Sequence, residues 1–166
     1  MRYTREQACL AWLAQGMLGS RRLKKLLDEC EIKPHVIQME AHPYYRDEET
    51  IAALAPCGCC VMAWYPLGHG DHALLEEPVV KELAEKYGKS TAQVILRWHT
   101  QVGNIVIPGS TNPEHIKVNL DIFDFELTEE EMKQMAGLNK NVRYYYPDEE
   151  KLAAYANMKI DLDSQK

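Results

Sequence analysis

The sequence predicts an α/β protein built on a parallel sheet, and three observations carry that prediction. Short apolar runs stand at residues 35–40 (HVIQME), 59–64 (CCVMAW) and 105–107 (IVI). They have the length and the β-branched content of strands buried on both faces. Between them lie stretches with helical spacing and recognisable start and stop residues. Strands alternating with helices in one chain imply parallel pairing through right-handed crossovers. The order reads helix, strand, helix, strand, helices, strand, helix, helix. With 166 residues, the chain is long enough for one domain with a real core. A single domain over residues 1–166 is therefore expected, with a divergent segment at 1–19 and a tail at 139–166.

Residues 5–15 have a weak helical pattern that Gly16 and Gly19 break. Ser20 is placed to cap an amphipathic helix at residues 21–31 (RRLKKLLDECE), with Leu23, Leu26, Leu27 and Cys30 on one face. Lys33 and Pro34 end it, and the first strand follows. His42, Pro43, Tyr44 and Tyr45 form the loop after that strand. A helix then runs from the acidic start at Asp47 to about Ala55. Gly58 restarts the chain into the second strand, and Tyr65 to Gly70 is the loop beyond it. Helices are expected at residues 78–87, closed by Gly88, and at residues 90–100, opened by Ser90. The third strand stops at Pro108. Asn112 and Pro113 are a cap and a first helical residue for a helix through Asn119. Thr128 with Glu131 three residues on forms a capping box for a last helix ending near Gly137.

Composition excludes several classes. A net charge of −6 and a pI near 5.5 argue against a nucleic-acid binder, which usually carries a basic surface. No apolar run approaches the length of a membrane helix, roughly 20 residues. The N-terminus MRYTREQACL lacks the apolar core of a secretion signal. The five cysteines, Cys9, Cys30, Cys57, Cys59 and Cys60, are odd in number and crowded, unlike a disulfide framework. They fit a reduced, cytoplasmic setting. Cys59 and Cys60 read as buried thiols packing as small hydrophobes. A zinc site with His69 or His72 is the other reading, but no paired ligand spacing follows them, and no metal is expected.

In a parallel sheet, ligands gather at the carboxyl ends of the strands. Three unusual loops meet there: residues 40–42, 64–67 and 109–112. Gln38, inside the first strand, needs hydrogen-bond partners and reads equally as a structural bridge or a ligand contact. Trp64 belongs to the core or presents its ring to a flat ligand. His42 reads as a catalytic candidate or as the brace of a turn before proline. The strand–turn–helix junction at residues 104–119 (NIVIPGSTNPEHIKVN) puts helical N–H groups where an anion such as phosphate could bind.

The segments VIQMEAHPYY, VMAWYPLG, TAQVILRW and IVIPGSTNPEHIKVNLDIFDFELTEEEM, in this order, resemble the second half of an aldo-keto reductase. The resemblance runs from about Ser20 to Tyr146. It implies part of a (β/α)8 barrel, with about three parallel strands and their helices, and an oxidoreductase that reduces carbonyls with NADP or NAD cofactors. Carried over position by position, Gln38 matches the glutamine that holds the nicotinamide amide, and Trp64 the aromatic ring stacked on the nicotinamide. Tyr65, Pro66, Leu67 and Gly68 match the loop along the pyrophosphate, with Tyr65 in place of a common serine. Ser110, Thr111 and Asn112 match the turn at the adenosine phosphate end, and Asn119 the contact to adenine.

The chain also departs from the family pattern. Gly109 and His115 stand where many members have the lysine and arginine that grip a 2′-phosphate. Those cations supply charge-assisted contacts, so no strong preference for NADPH is expected; His115 supplies part of the charge when protonated. A (β/α)8 barrel typically takes about 250 residues. The family's first half, with its catalytic Asp, Tyr, Lys and His, has no counterpart here, so no catalytic residue is expected. The expectation is a truncated reductase, inactive alone. The alternatives are a non-catalytic nucleotide-binding or structural oligomerising module, and one piece of a split reductase; a homo-oligomer formed through an open sheet edge or helix faces is expected.

Overall fold

The computed structural model describes residues 20–31, 33–146, 148, 150, 151 and 153. The helical pattern read at residues 5–15, with Gly16 and Gly19, lies outside them. Three strands, β1 (Val36–Glu40), β2 (Cys60–Trp64) and β3 (Ile105–Val106), form one parallel sheet in the order β1-β2-β3. Seven α-helices are seen among the described residues: α1 (Ser20–Glu29), α2 (Glu48–Leu54), α3 (His72–Leu75), α4 (Pro78–Tyr87), α5 (Thr91–Gln101), α6 (Pro113–Leu120) and α7 (Glu129–Ala136). The α/β alternation predicted from the sequence is the observed one.

Local chemistry explains the boundaries. Helix α1 is described from Ser20 onward. The helix ends with Lys33 Nζ donating to the Leu27 carbonyl and, at 3.0 Å, to the Cys30 carbonyl, a cation on the negative end of the helix. Asp47 caps α2 through Thr50 N, at 3.2 Å. Both expected capping boxes form, Ser90 with Gln93 on α5 and Thr128 with Glu131 on α7. The short α3, capped by Asp71, has no strong sequence signal, because four residues show no period.

Burial along the strands corrects one expectation. Ile37 and Met39 of β1 and Val61 and Ala63 of β2 are buried in a cluster with Leu23, Leu27 and Leu54 from α1 and α2. The alternate residues Val36, Gln38, Met62 and Trp64 are only half-buried, and Cys60 is exposed. Ile105 and Ile107 remain 39% and 43% exposed. Among the described residues the strands are thus covered on one face, where α1 and α2 pack on Ile37, Met39, Val61 and Ala63, and not on two. Cys59 and Cys60 likewise are not buried thiols: Cys59 is half-buried and Cys60 sits on the uncovered face. Gln38 is half-buried for the same reason.

A second cluster joins α3, α4, α5 and α7 around Leu74, Ile95, Trp98 and Met135. Gln101 fastens α7 to it, with Nε2 donating to the Leu127 carbonyl at 2.9 Å and Oε1 accepting from Leu127 N at 2.8 Å. Lys140 N and Val142 N both donate to the Tyr44 carbonyl, at 3.0 and 3.3 Å, and bring residues 140–145 over the carboxyl end of β1.

Candidate functional site at the carboxyl end of the sheet

Parallel register decides which side chains share a face. Gln38 pairs with Met62, and Glu40 with Trp64. Gln38, Met62, Glu40 and Trp64 therefore all lie on the face the helices leave uncovered. The Gln38 side chain makes no hydrogen bond to another described residue, so its amide offers both a donor and an acceptor on that face. Of the two readings left open by the sequence, a structural bridge finds no partner among the described residues.

Glu40 behaves differently. It is 0% exposed and accepts from Tyr144 N at 2.6 Å, Tyr145 N at 3.3 Å and His42 Nε2 at 3.1 Å. Burial pushes its carboxyl up, but the hydrogen bonds from His42 and Tyr144 outweigh that and hold it below its ordinary value. His42 is fully buried and bridges to Tyr45 through the backbone in both directions, so it is the brace of its turn. Glu40 thereby ties residues 144 and 145 across the strand ends. Sequence reasoning missed this role; the only signal was a carboxylate at the last position of an apolar strand.

The loop after β2 is tightly built. Tyr65 and His69 both take left-handed backbone, at φ 54 and 55. Trp64 stacks on Tyr65 at a centroid distance of 4.0 Å and an interplanar angle of 24°, and Tyr65 stacks on His69 at 3.9 Å and 25°. Tyr145 meets Trp64 edge-on at 5.2 Å. Pro66 is buried, and its carbonyl accepts from His99 Nε2 at 3.2 Å. Asn104 Nδ2 lies 3.1 Å from His99 Nδ1, so one ring nitrogen donates and the other accepts. Burial drives the His99 imidazolium down to about 3, and the ring is neutral, as that pattern requires. Leu67 packs half-buried on the helical cluster. Gly68 is buried at φ 75, and a Cβ there would sit 3.0 Å from Leu74 Cδ2 and 3.4 Å from the Tyr144 ring.

The third loop is more open. Ser110 Oγ accepts from Asn112 N at 3.1 Å, and Asn112 Oδ1 accepts from Glu114 N at 3.0 Å, so both side chains brace the turn and cap α6. Gly109, Thr111, Asn112 and His115 are exposed, while Ser110 and Asn119 are half-buried. No residue of α6 is buried.

Tyr44, Tyr45 and Tyr144 hold their protons firmly. Burial raises Tyr45 to about 12 and also raises Tyr44 and Tyr144; neighbouring carboxylates add to each. Their hydroxyls donate to Asp47, Glu77 and Asp71 respectively. Among the described residues, no three His, Cys, Asp or Glu side chains come together to hold a metal ion. No helix among them is long and apolar enough to cross a membrane.

A model of the Aldo/keto reductase family matches residues 17–140. The chain is 46% identical over 143 residues to aldo-keto reductase family 1 member A1 of Homo sapiens, covering 81% of this chain and 44% of that protein. It is 40% identical over 141 residues to an aldo-keto reductase of Mycolicibacterium smegmatis, covering 85% and 50%. Among solved structures, the aldose reductase of Schistosoma japonicum superposes with a TM-score of 0.71 at 32% identity, over 80% of this chain and 46% of that one. An aldo-keto reductase of Bombyx mori in complex with NADP gives 0.68 at 35%, over 74% and 43%. The chain spans about half the length of the relatives it matches.

Proposed function

The chain belongs to the aldo/keto reductase family, and from that membership we propose that it forms the nucleotide-holding part of an oxidoreductase site for carbonyl reduction with NADP or NAD. The observation that carries this reading is that the half-buried Gln38 and Trp64 lie on the same uncovered face of adjacent strands, Trp64 two residues beyond the partner of Gln38. A primary amide complements a nicotinamide carboxamide donor for acceptor, and an indole offers the face that a flat ring stacks on. Gln38 would hold the carboxamide and Trp64 the ring. Tyr65, Pro66, Leu67 and Gly68 would line the pyrophosphate, and Gly109, Ser110, Thr111, Asn112, His115 and Asn119 the adenosine end. When bound, the nucleotide supplies a hydride.

No fixed cation stands at Gly109, and His115 is exposed, so NADH and NADPH bind with no strong preference. Ser110 and Asn112 spend hydrogen-bonding capacity on their own turn, which makes binding weak. A thermal shift with either nucleotide, lost in Gln38→Ala, tests the cofactor reading, because a ligand of the native state stabilises it. Failure of both nucleotides to shift the transition removes it.

We also propose that the chain alone, acting as one domain over residues 1–166, does not turn over carbonyls. A general acid works best with a pKa near the operating pH, and is worth about 10²–10⁴-fold. Tyr44, Tyr45 and Tyr144 are all shifted the wrong way and already donate to carboxylates. The uncovered face also admits water beside the site. NADH and NADPH absorbance with a nitrobenzaldehyde is expected to stay at background; saturable turnover abolished by Trp64→Ala would overturn this. The exposed Ile105, Ile107 and Leu120 and the outer edges of β1 and β3, which pair with no other strand among the described residues, favour self-association, which light scattering reads directly: a mass of one chain at micromolar concentration contradicts it. Free thiols at Cys30, Cys57, Cys59 and Cys60 fit a cytoplasmic setting.

A further inference from the structure

Successive residues of an extended strand point to opposite faces, so Trp64 and Tyr65 would not meet if the strand simply continued. They meet because the chain turns left-handed at Tyr65, φ 54, and the turn is closed by Gly68 N donating to the Tyr65 carbonyl at 2.9 Å. Left-handed backbone is costly for a bulky residue and is characteristically stored at functional sites. His69 repeats the left-handed turn at φ 55 and lays its ring on the other side of Tyr65. The result is a stack of three rings, with separations of 4.0 and 3.9 Å and angles of 24° and 25°. One face of Trp64 is thus filled from within the chain, at the spacing a planar ligand would take.

We propose that Tyr65 is a gating residue, whose ring competes with the nicotinamide ring for the face of Trp64 and swings out when a nucleotide binds. This rests on the reading of Gln38 and Trp64 as the nicotinamide site, and adds to it a self-occupied resting state that lowers nucleotide affinity. His69 is the latch, because it holds the second face of the Tyr65 ring. A smaller residue at this position leaves Trp64 open. A stacked aromatic pair has the strength to weaken a competing ligand by about three- to ten-fold.

The test is titration calorimetry of NADH onto the full chain and onto Tyr65→Ser, Tyr65→Phe and His69→Ala, with near-ultraviolet circular dichroism of each. Tyr65→Ser is expected to bind about three- to ten-fold more tightly than the parent. Tyr65→Phe keeps the ring and stays on the weak side, and His69→Ala, which removes the second stacking partner of Tyr65, falls between. In the parent, NADH is expected to abolish the coupled Trp64–Tyr65 dichroic signal. If the parent binds NADH and neither Tyr65→Ser nor His69→Ala binds it more tightly, or the coupled signal survives saturation, gating is wrong while the cofactor site stands. If none of the four proteins binds NADH, the cofactor reading itself fails and the gate falls with it.

Discussion

Replacing Glu40 by alanine should be among the most damaging single changes at the strand ends. The carboxylate is fully buried and accepts three hydrogen bonds, from the amides of Tyr144 and Tyr145 and from His42 Nε2. Hydrogen bonds to a charged group are worth about 1.5–3 kcal/mol each, and donors left without an acceptor lose their solvation as well. The three share one carboxylate and do not add, so breaking the network should cost about 3–5 kcal/mol. For a chain of this size that lowers the melting temperature by roughly 6–20 °C. Glu40→Gln keeps one acceptor but turns an N–H toward a donor, and should cost about 2 kcal/mol. Glu29→Ala is the control, since its partner Lys25 is 73% exposed and Glu29 itself 54% exposed, and such pairs contribute within about 1 kcal/mol. Urea unfolding of the three variants, with hydrogen exchange at Tyr144 and Tyr145, reads the effect. Glu40→Ala within about 1 kcal/mol of the parent, or undiminished protection of those two amides, would refute the reasoning. The pH dependence has a definite sign. The folded carboxyl lies below the unfolded value of 4.5, so its contribution is present above that value and is lost as pH falls through the folded one.

Three further outcomes follow from local geometry. Gly68→Ala combines left-handed backbone with a Cβ 3.0 Å from the buried Leu74 and should cost about 1–3 kcal/mol, clearly more than Gly70→Ala, where φ is 80 and nothing lies within 4 Å; thermal unfolding compares them. His99 is neutral in the fold, driven down to about 3, whereas it titrates near 6.5 when unfolded; the unfolded state then binds more protons between those values, so stability should fall by up to about 1.4 kcal/mol per pH unit below 6.5, while the His99 resonances in nuclear magnetic resonance stay unchanged from pH 8 to about 4. Thr128→Ala removes the acceptor that Glu131 N meets at 3.3 Å and should cost about 0.5–2 kcal/mol in urea unfolding.

Periodic and capped segments were legible in the sequence. Ser90, Thr128, Asn112 and Gly88 act locally, through side-chain acceptors or glycine backbone within a turn of the helix end, so the helices they bound could be placed from the residues alone. The alternation of β-branched runs and helices likewise gave the parallel sheet. What could not be read was the number of covered faces. Ile105 and Ile107 look like core residues because apolar content records what a strand can bury, not what is present to bury it. At the site, Gln38 and Trp64 could be carried over by motif, but Glu40's role depends on amides more than 100 positions later in the chain. The Tyr65 stack depends on a left-handed turn that no residue type in WYPLG demands except the glycine.

The central claim, that the uncovered face at Gln38 and Trp64 is a nicotinamide nucleotide site, is tested most directly by titrating the isotope-labelled chain with NADH and NADPH and following side-chain signals. The account predicts saturable shifts of the Gln38 carboxamide and the Trp64 indole with both nucleotides, at affinities within about tenfold of each other because no fixed cation awaits the 2′-phosphate. Signals that stay still at millimolar nucleotide, or that move while Gln38→Ala binds as well as the parent, would contradict it.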